Sequence, residues 1–90
     1  MIEKEKIEDY LLEKGFKTCN KGFNYLTIAI QSYYPNILIT KELYPLIAKK
    51  CMTTSQKVER AIRHSIQSSK VGKIKNSEFI SKSKLLLERE

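Results

Sequence analysis

The spacing of apolar residues constrains the fold of this 90-residue chain more than any other feature. Apolar side chains recur at three- and four-residue intervals, which is the period of an α-helix, and no segment shows the alternation typical of a β-strand. The sequence therefore predicts an all-α fold, a compact bundle of about five helices. Because 90 residues provide one hydrophobic core, we expect a single helical domain over residues 1–90.

Glycine and proline residues set the predicted ends of the first two helices. An acidic N-terminal helix within residues 1–16 is predicted over residues 3–14, and Gly15 ends it in the left-handed conformation. A second helix fits residues 23–34, and Pro35 ends it.

A third helix is predicted to begin near Thr40 or Lys41 and to end at Lys50. Proline is tolerated only in the first turn of a helix, so Pro45 favours a start nearer Glu42.

The fourth helix is predicted to run from about Thr54 to Ser68. It begins with a capping box in which Thr53 caps the helix and Gln56 reaches back. A polar connector over residues 68–75 leads to a last helix that begins at Asn76 or Ser77.

The third and fourth helices together predict a helix-turn-helix. Ala48 is small where the two helices would cross, and Val58 follows ten residues later to pack against it. On a helical wheel the apolar side of the fourth helix packs inward. The opposite side carries Gln56, Arg60, Arg63, His64 and Gln67, with Lys57 and Glu59 on its flanks. These groups can pair with bases and with phosphates, which predicts a helix that reads the major groove of DNA.

The positive charge of the chain is concentrated in its middle. The formal net charge is +7. Residues 1–16 contribute −2, and residues 76–90 are neutral. Residues 17–75 hold nine Lys and two Arg against two Glu, a net charge of +9. Release of counterions from phosphates would favour a nucleic-acid partner for this segment.

Several function classes are not supported by the sequence. Two cysteines and one histidine are too few for a disulfide framework or a structural zinc site, so we expect no metal and no cofactor. No catalytic motif or phosphate-cradling glycine loop appears, so we expect no enzyme. No apolar run is long enough to span a membrane and no signal peptide opens the chain, so we expect a cytoplasmic protein.

The order of several segments resembles a known family of DNA-binding domains. The chain is similar, over about residues 21–80, to the DNA-binding effector domain of the stage-zero sporulation protein A family, which comprises response regulators of spore-forming bacteria. The similar runs are Lys21–Leu26, Leu43–Lys50, Thr53–Thr54, Val58–His64 and Asn76–Ile80. The resemblance implies sequence-specific control of transcription through a short GTCGAA-like box in double-stranded DNA.

The resemblance also implies roles for individual residues. Lys57 stands where the family usually has an arginine that reads guanine. Glu59 matches a glutamate that accepts from a cytosine amino group, and Arg60 matches an arginine that reaches bases or backbone. Gln56 presents its amide on the same outward face.

The remaining expected contacts are with the DNA backbone. Arg63 and His64 match family residues that lie near phosphates. Thr53, Thr54 and Lys49, around the turn of the helix-turn-helix, are expected to contact the backbone as well.

The chain departs from the family pattern at four places. Lys57 replaces a bidentate guanidinium with a point charge, which is expected to relax specificity at one base. Met52 occupies a turn position where the family has asparagine, so either the turn differs or a positive φ is tolerated at about 1 kcal/mol. Residues 69–75 stand where the family has a further helix and loop. In the family, that region looks like the surface that contacts the sigma factor of RNA polymerase. We also expect no receiver domain before residue 1, and therefore no phosphorylation-driven dimerisation within this chain.

Two hypotheses of different classes follow. The first is a DNA-binding transcriptional regulator that acts as a repressor or site competitor rather than as an activator. The alternative is a protein-interaction module that keeps the helix-turn-helix fold and docks another regulator. The acidic first helix and the tyrosines Tyr25, Tyr33 and Tyr34 motivate the alternative. The resemblance suggests head-to-tail pairing on repeated sites, and the residues leave a homodimer and a protein partner open.

Overall fold

Helices account for most of the computed structural model, which describes residues 2–89. The five α-helices are α1 (Lys4–Glu13), α2 (Lys21–Ser32), α3 (Tyr44–Lys50), α4 (Ser55–Ser68) and α5 (Asn76–Arg89). A π-helical segment, Ile39–Leu43, precedes α3, and residues 2–89 contain no strand. The radius of gyration is 11.7 Å, close to the roughly 12 Å expected for a compact domain of this length. The predicted all-α bundle of about five helices is confirmed.

The end of α1 follows the predicted glycine pattern. Gly15 has a φ of 86° and stands just after the helix. The amide of Gly15 donates to Leu12 O at 3.0 Å, and the amide of Phe16 donates to Leu11 O at 3.0 Å. These two bonds form a Schellman motif, which satisfies carbonyls that a helix end leaves without partners.

The bounds predicted for the second helix were wrong at both ends. The helix begins at Lys21 and ends at Ser32, and Tyr33 is already extended, with a φ of −67° and a ψ of 140°. Pro35 disfavours a helical conformation at Tyr34, so the chain leaves the helix before that residue. Tyr33 is therefore half-buried beyond the helix, and Tyr34 is exposed.

The third predicted helix is divided into two parts. The amide of Leu43 donates to Leu38 O at 3.0 Å, which is the wider spacing of a π-helix. A carboxylate oxygen of Glu42 accepts from the amide of Leu38 at 2.8 Å and so closes the start of this segment. Pro45 lies in the first turn of α3, where its missing N–H costs no helical hydrogen bond.

The turn between α3 and α4 differs from the predicted capping box. Met52 adopts a positive φ of 55°, and the amide of Thr53 donates to Ala48 O at 2.9 Å. Because Thr53 thus completes the end of α3, the residue that caps α4 is Thr54, whose hydroxyl accepts from the amide of Lys57 at 3.2 Å. The prediction that Thr53 caps the helix was wrong by one residue, and the expected bond from Gln56 back to the cap is not formed within residues 2–89.

The most extensive helix–helix contact joins α2 and α4. At Gly22, an added Cβ would overlap Ser65 Oγ and the carbonyl oxygen of Ala61, so only glycine allows this approach. Ser65 Oγ is buried and, within residues 2–89, has no hydrogen-bond partner. A single core surrounds the contact and includes Ile7, Leu11, Leu26, Ile30, Leu43, Ile47, Val58, Ile62, Ile66, Ile80 and Leu87.

Substitution of Gly22 by alanine tests this contact. Alanine normally stabilises a helix relative to glycine by about 0.5–1 kcal/mol. Here we expect a loss of about 3 kcal/mol in the free energy of unfolding, because the new methyl group overpacks the core. Urea denaturation measures the change.

The control for this substitution is Gly72→Ala. Nothing lies within 4 Å of a Cβ at Gly72, but its φ is +77°, so a smaller loss of about 1 kcal/mol is expected from backbone strain alone. The double variant Gly22→Ala/Ser65→Ala should recover part of the loss, since Ser65 Oγ is one of the atoms that clash. A stabilised Gly22→Ala variant would show that the two helices are not in close contact.

Candidate nucleic-acid interface

The surface of α4 is divided into an apolar side and a charged side. The inward side packs into the core through Val58, Ile62, Ser65 and Ile66, all of which are buried. On the other side, Gln56, Lys57, Arg60, Arg63, His64 and Gln67 are exposed. We call this set, together with half-buried Glu59, the reading face. The outward orientation that the helical wheel predicts is present, and α5 does not cover the reading face.

Glu59 and Arg63 form an ion pair one turn apart on the reading face. The Arg63 side chain is 52% exposed and that of Glu59 is 35% exposed. Exposed pairs at this spacing contribute only about 0.3–0.5 kcal/mol, so Arg63 can exchange its partner for a phosphate, and Glu59 can exchange its partner for a base amino group, at small cost. From the sequence the two residues were expected to make separate contacts with DNA, and their pairing was not predicted.

The expected backbone contacts lie together around the turn between α3 and α4. Lys49 is exposed in the last turn of α3, and Thr54 is exposed at the start of α4. Thr53 is half-buried, and its amide is engaged by Ala48 O. The structure therefore places these three residues beside the N-terminal end of the reading face, where Gln56 and Lys57 begin it.

Asn76 links α5 to both helices of the helix-turn-helix. Its Nδ2 donates to the hydroxyl of Tyr44 at 3.1 Å and to the carbonyl oxygen of Glu59 at 3.2 Å. From the sequence, Asn76 was expected to begin the last helix and to open a family-like run, and neither it nor Tyr44 was given a role in holding the helix-turn-helix. A buried tyrosine usually needs a hydrogen-bond partner for its hydroxyl, and this requirement is the sequence signal that could have predicted such a bond.

Burial raises the pKa of Tyr44 above the ordinary tyrosine value of 10.0. The hydrogen bond from Asn76 opposes this effect of burial, and the nearby charges of Glu59 and Arg63 act in opposite directions. The neutral phenol is thus the form that the folded protein favours.

Other kinds of site find little support in the described residues. Within residues 2–89, no group of three or more His, Cys, Asp or Glu side chains is arranged to hold a metal ion. Over the same range, no helix combines the length and the apolar character needed to cross a membrane. Cys19 is exposed, and Cys51, which is half-buried in the turn after α3, lies 3.9 Å from Asn24 Nδ2.

The chain matches the model of a known protein family. The model of the family described as Sporulation initiation factor Spo0A C terminal matches residues 7–76. The match begins within α1, so it extends further toward the N-terminus than the resemblance over residues 21–80. It ends at Asn76, the first residue of α5.

Replacement of Tyr44 by phenylalanine tests the link between α5 and the helix-turn-helix. Removal of the hydroxyl should lower the free energy of unfolding by about 1 kcal/mol at neutral pH, because Asn76 loses an acceptor. The raised pKa means that the stabilising contribution of Tyr44 is complete below pH 10.0 and declines as the pH rises above that value. The difference in the free energy of unfolding between the wild type and Tyr44→Phe should therefore become smaller in alkaline solution.

Urea titrations at neutral pH and at about pH 11 measure this difference. Tyr34→Phe, a change at an exposed hydroxyl, provides the control and should alter stability little at either pH. A difference that stays constant across this range would contradict the link.

Proposed function

The chain belongs to the family of Sporulation initiation factor Spo0A C-terminal domains, which are DNA-binding regulators of sporulation, and we propose that it reads a specific duplex sequence with α4. In this proposal the reading face enters the major groove, and the residues around the turn between α3 and α4 hold the adjacent backbone. The protein acts in the cytoplasm, where bacterial DNA lies. The observation that carries the proposal is the joint exposure of Gln56, Lys57, Arg60, Arg63, His64 and Gln67 on one side of a single helix.

The chemistry of the reading face supports distinct roles for its residues. Arg60 and Lys57 carry donors suited to guanine, and Glu59 carries an acceptor suited to the amino group of cytosine. Gln56 has both a donor and an acceptor, which is the pattern that adenine requires. Arg63 and His64, further along the helix, contact phosphates in this proposal.

Contacts to the backbone set the register of α4 in the groove. Lys49 supplies a positive charge at the end of α3. The hydroxyl of Thr54 accepts one hydrogen bond from Lys57 N and keeps its own proton to donate to a phosphate oxygen. Thr53 lies next to it in the same turn. Such contacts position a protein on DNA without reading its sequence.

Binding to a duplex with a GTCGAA-like box is the first test. We expect tighter binding to this duplex than to a scrambled duplex of the same length. If about five phosphates are neutralised, the logarithm of the binding constant should fall with the logarithm of salt concentration at a slope of about −4 to −5. Equal affinity for both duplexes would contradict sequence-specific reading, and a flat slope would argue against DNA as the partner.

The double variant Arg60→Ala/Arg63→Ala tests the reading face itself. Each lost contact costs about 1–3 kcal/mol, so affinity for the boxed duplex should fall at least about 30-fold. Lys4→Ala/Lys82→Ala removes the same charge from exposed positions of α1 and α5 and serves as the control. If the arginine variant binds DNA as the wild type does, the reading face is not the DNA-binding surface. Retention of a protein partner by that variant would favour the alternative, a module that docks another regulator.

The short connector between α4 and α5 supports a repressor or site competitor. It spans residues 69–75 and contains no helix, whereas the resemblance implies a polymerase-contacting helix in this region. In transcription reactions with purified polymerase, a box that overlaps the promoter should allow repression, and a box upstream should give no activation. Activation from the upstream box would overturn this part of the proposal.

Pairing on repeated sites is proposed from the resemblance. Binding to a duplex with two boxes should be cooperative, and a duplex with one box should bind a single copy of the protein. Independent occupation of the two boxes would contradict pairing.

A further inference from the structure

A cleft of about 590 Å³ lies beside α4, on the side that faces the start of α5. Its walls come from the π-helical segment, from Tyr44 at the start of α3, from α4 and from residues 73–77. It shares four lining residues with a second hollow of about 460 Å³, which reaches Ser55 and Gln56 at the N-terminal end of α4. The two depressions together follow one flank of the reading face.

The charge of the cleft is positive. Arg63, Lys73 and Lys75 line it, and Glu59 is the acidic residue among its lining residues. Because Glu59 is paired with Arg63, the charges of the two lysines are not compensated within the cleft. Both lysines are exposed, and neither takes part in an ion pair in the part of the chain that the structure describes.

The connector that carries the two lysines is held at both ends. Ser69 Oγ donates to Ile66 O at 2.7 Å and accepts from the amide of Val71 at 3.2 Å. The amide of Lys70 donates to Lys14 O at 3.0 Å. At the other end, Asn76 is fixed by its two hydrogen bonds. The lysines therefore extend from an ordered backbone, which lowers the entropic cost of binding.

The length of α4 indicates which part of a bound DNA duplex would lie along this flank. A helix of 14 residues is about 21 Å long, whereas the major groove is only about 12 Å wide. If α4 runs obliquely across the groove with part of its length inside, the rest of the helix and its flank lie over a sugar–phosphate strand. The uncompensated lysines lie on that flank.

From this placement we infer that the cleft binds backbone phosphates of the strand that borders the groove, and that Lys73 and Lys75 contact them. This inference rests on the proposed function, since it requires α4 to lie in the major groove. The contacts add affinity for any sequence and carry no base specificity. They provide a second anchor, along the flank of α4 that faces the start of α5.

The test compares Lys73→Gln/Lys75→Gln with Lys4→Gln/Lys82→Gln, a control that removes the same charge away from the cleft. Affinities for the boxed and the scrambled duplex are measured over a series of salt concentrations. The cleft variant should lose the same factor on both duplexes, roughly 60-fold at about 0.1 M salt, because each phosphate contact contributes about 0.9 logarithmic units there. Its salt slope should be less steep by about 1.8, and the control should match the wild type.

A cleft variant whose affinity and salt slope equal those of the control would overturn the inference. The proposed function would still stand in that case, provided that Arg60→Ala/Arg63→Ala abolishes binding. Failure of the wild type to bind either duplex would overturn both. A third arm titrates inorganic phosphate and follows the amide resonances of residues 73–77. Saturable binding of phosphate, together with unaltered DNA affinity of the cleft variant, would assign the cleft to a small anion instead.

Discussion

The close approach of α2 to α4 at Gly22 is the constraint on which the rest of the structure depends. It lets the inner side of α4 sink into the core, where Val58, Ile62 and Ile66 are fully buried. With one side fixed in this way, the polar side of the same helix must face outward. The cost is visible at Ser65, whose hydroxyl is buried without a partner among residues 2–89.

A second set of contacts fixes the orientation of α4 relative to its surroundings. The turn at Met52 joins α4 to α3, and Asn76 ties the start of α5 to α3 through the hydroxyl of Tyr44 and to α4 through the backbone carbonyl of Glu59. Met52 is 95% exposed and adopts a conformation in which asparagine or glycine is less strained. The helix that is proposed to read DNA is thus held by neighbours on three sides, while its charged side stays open. Such rigid support is what precise recognition of base edges requires.

Sequence patterns predicted the helices and the two sides of α4 well, because both depend on local periodicity. Details that depend on which of several possible hydrogen-bond or ion-pair partners a group takes were not predicted. Thr53 was expected to cap α4, but its amide is used to close α3, so Thr54 takes that role. The pairing of Glu59 with Arg63 and the bonds of Asn76 depend on which rotamers and which distant helices meet. The lysines of the connector became significant only when the fold placed them beside α4.

The central claim is that the reading face contacts base edges from the major groove. Methylation of guanine N7 places a group in that groove, whereas methylation of adenine N3 alters the minor groove. A boxed duplex methylated sparsely at both kinds of position can be separated into protein-bound and free fractions. The account predicts that duplexes methylated at guanine N7 within the box are excluded from the bound fraction. Exclusion only of duplexes methylated at adenine N3, with N7 methylation tolerated throughout the box, would contradict it.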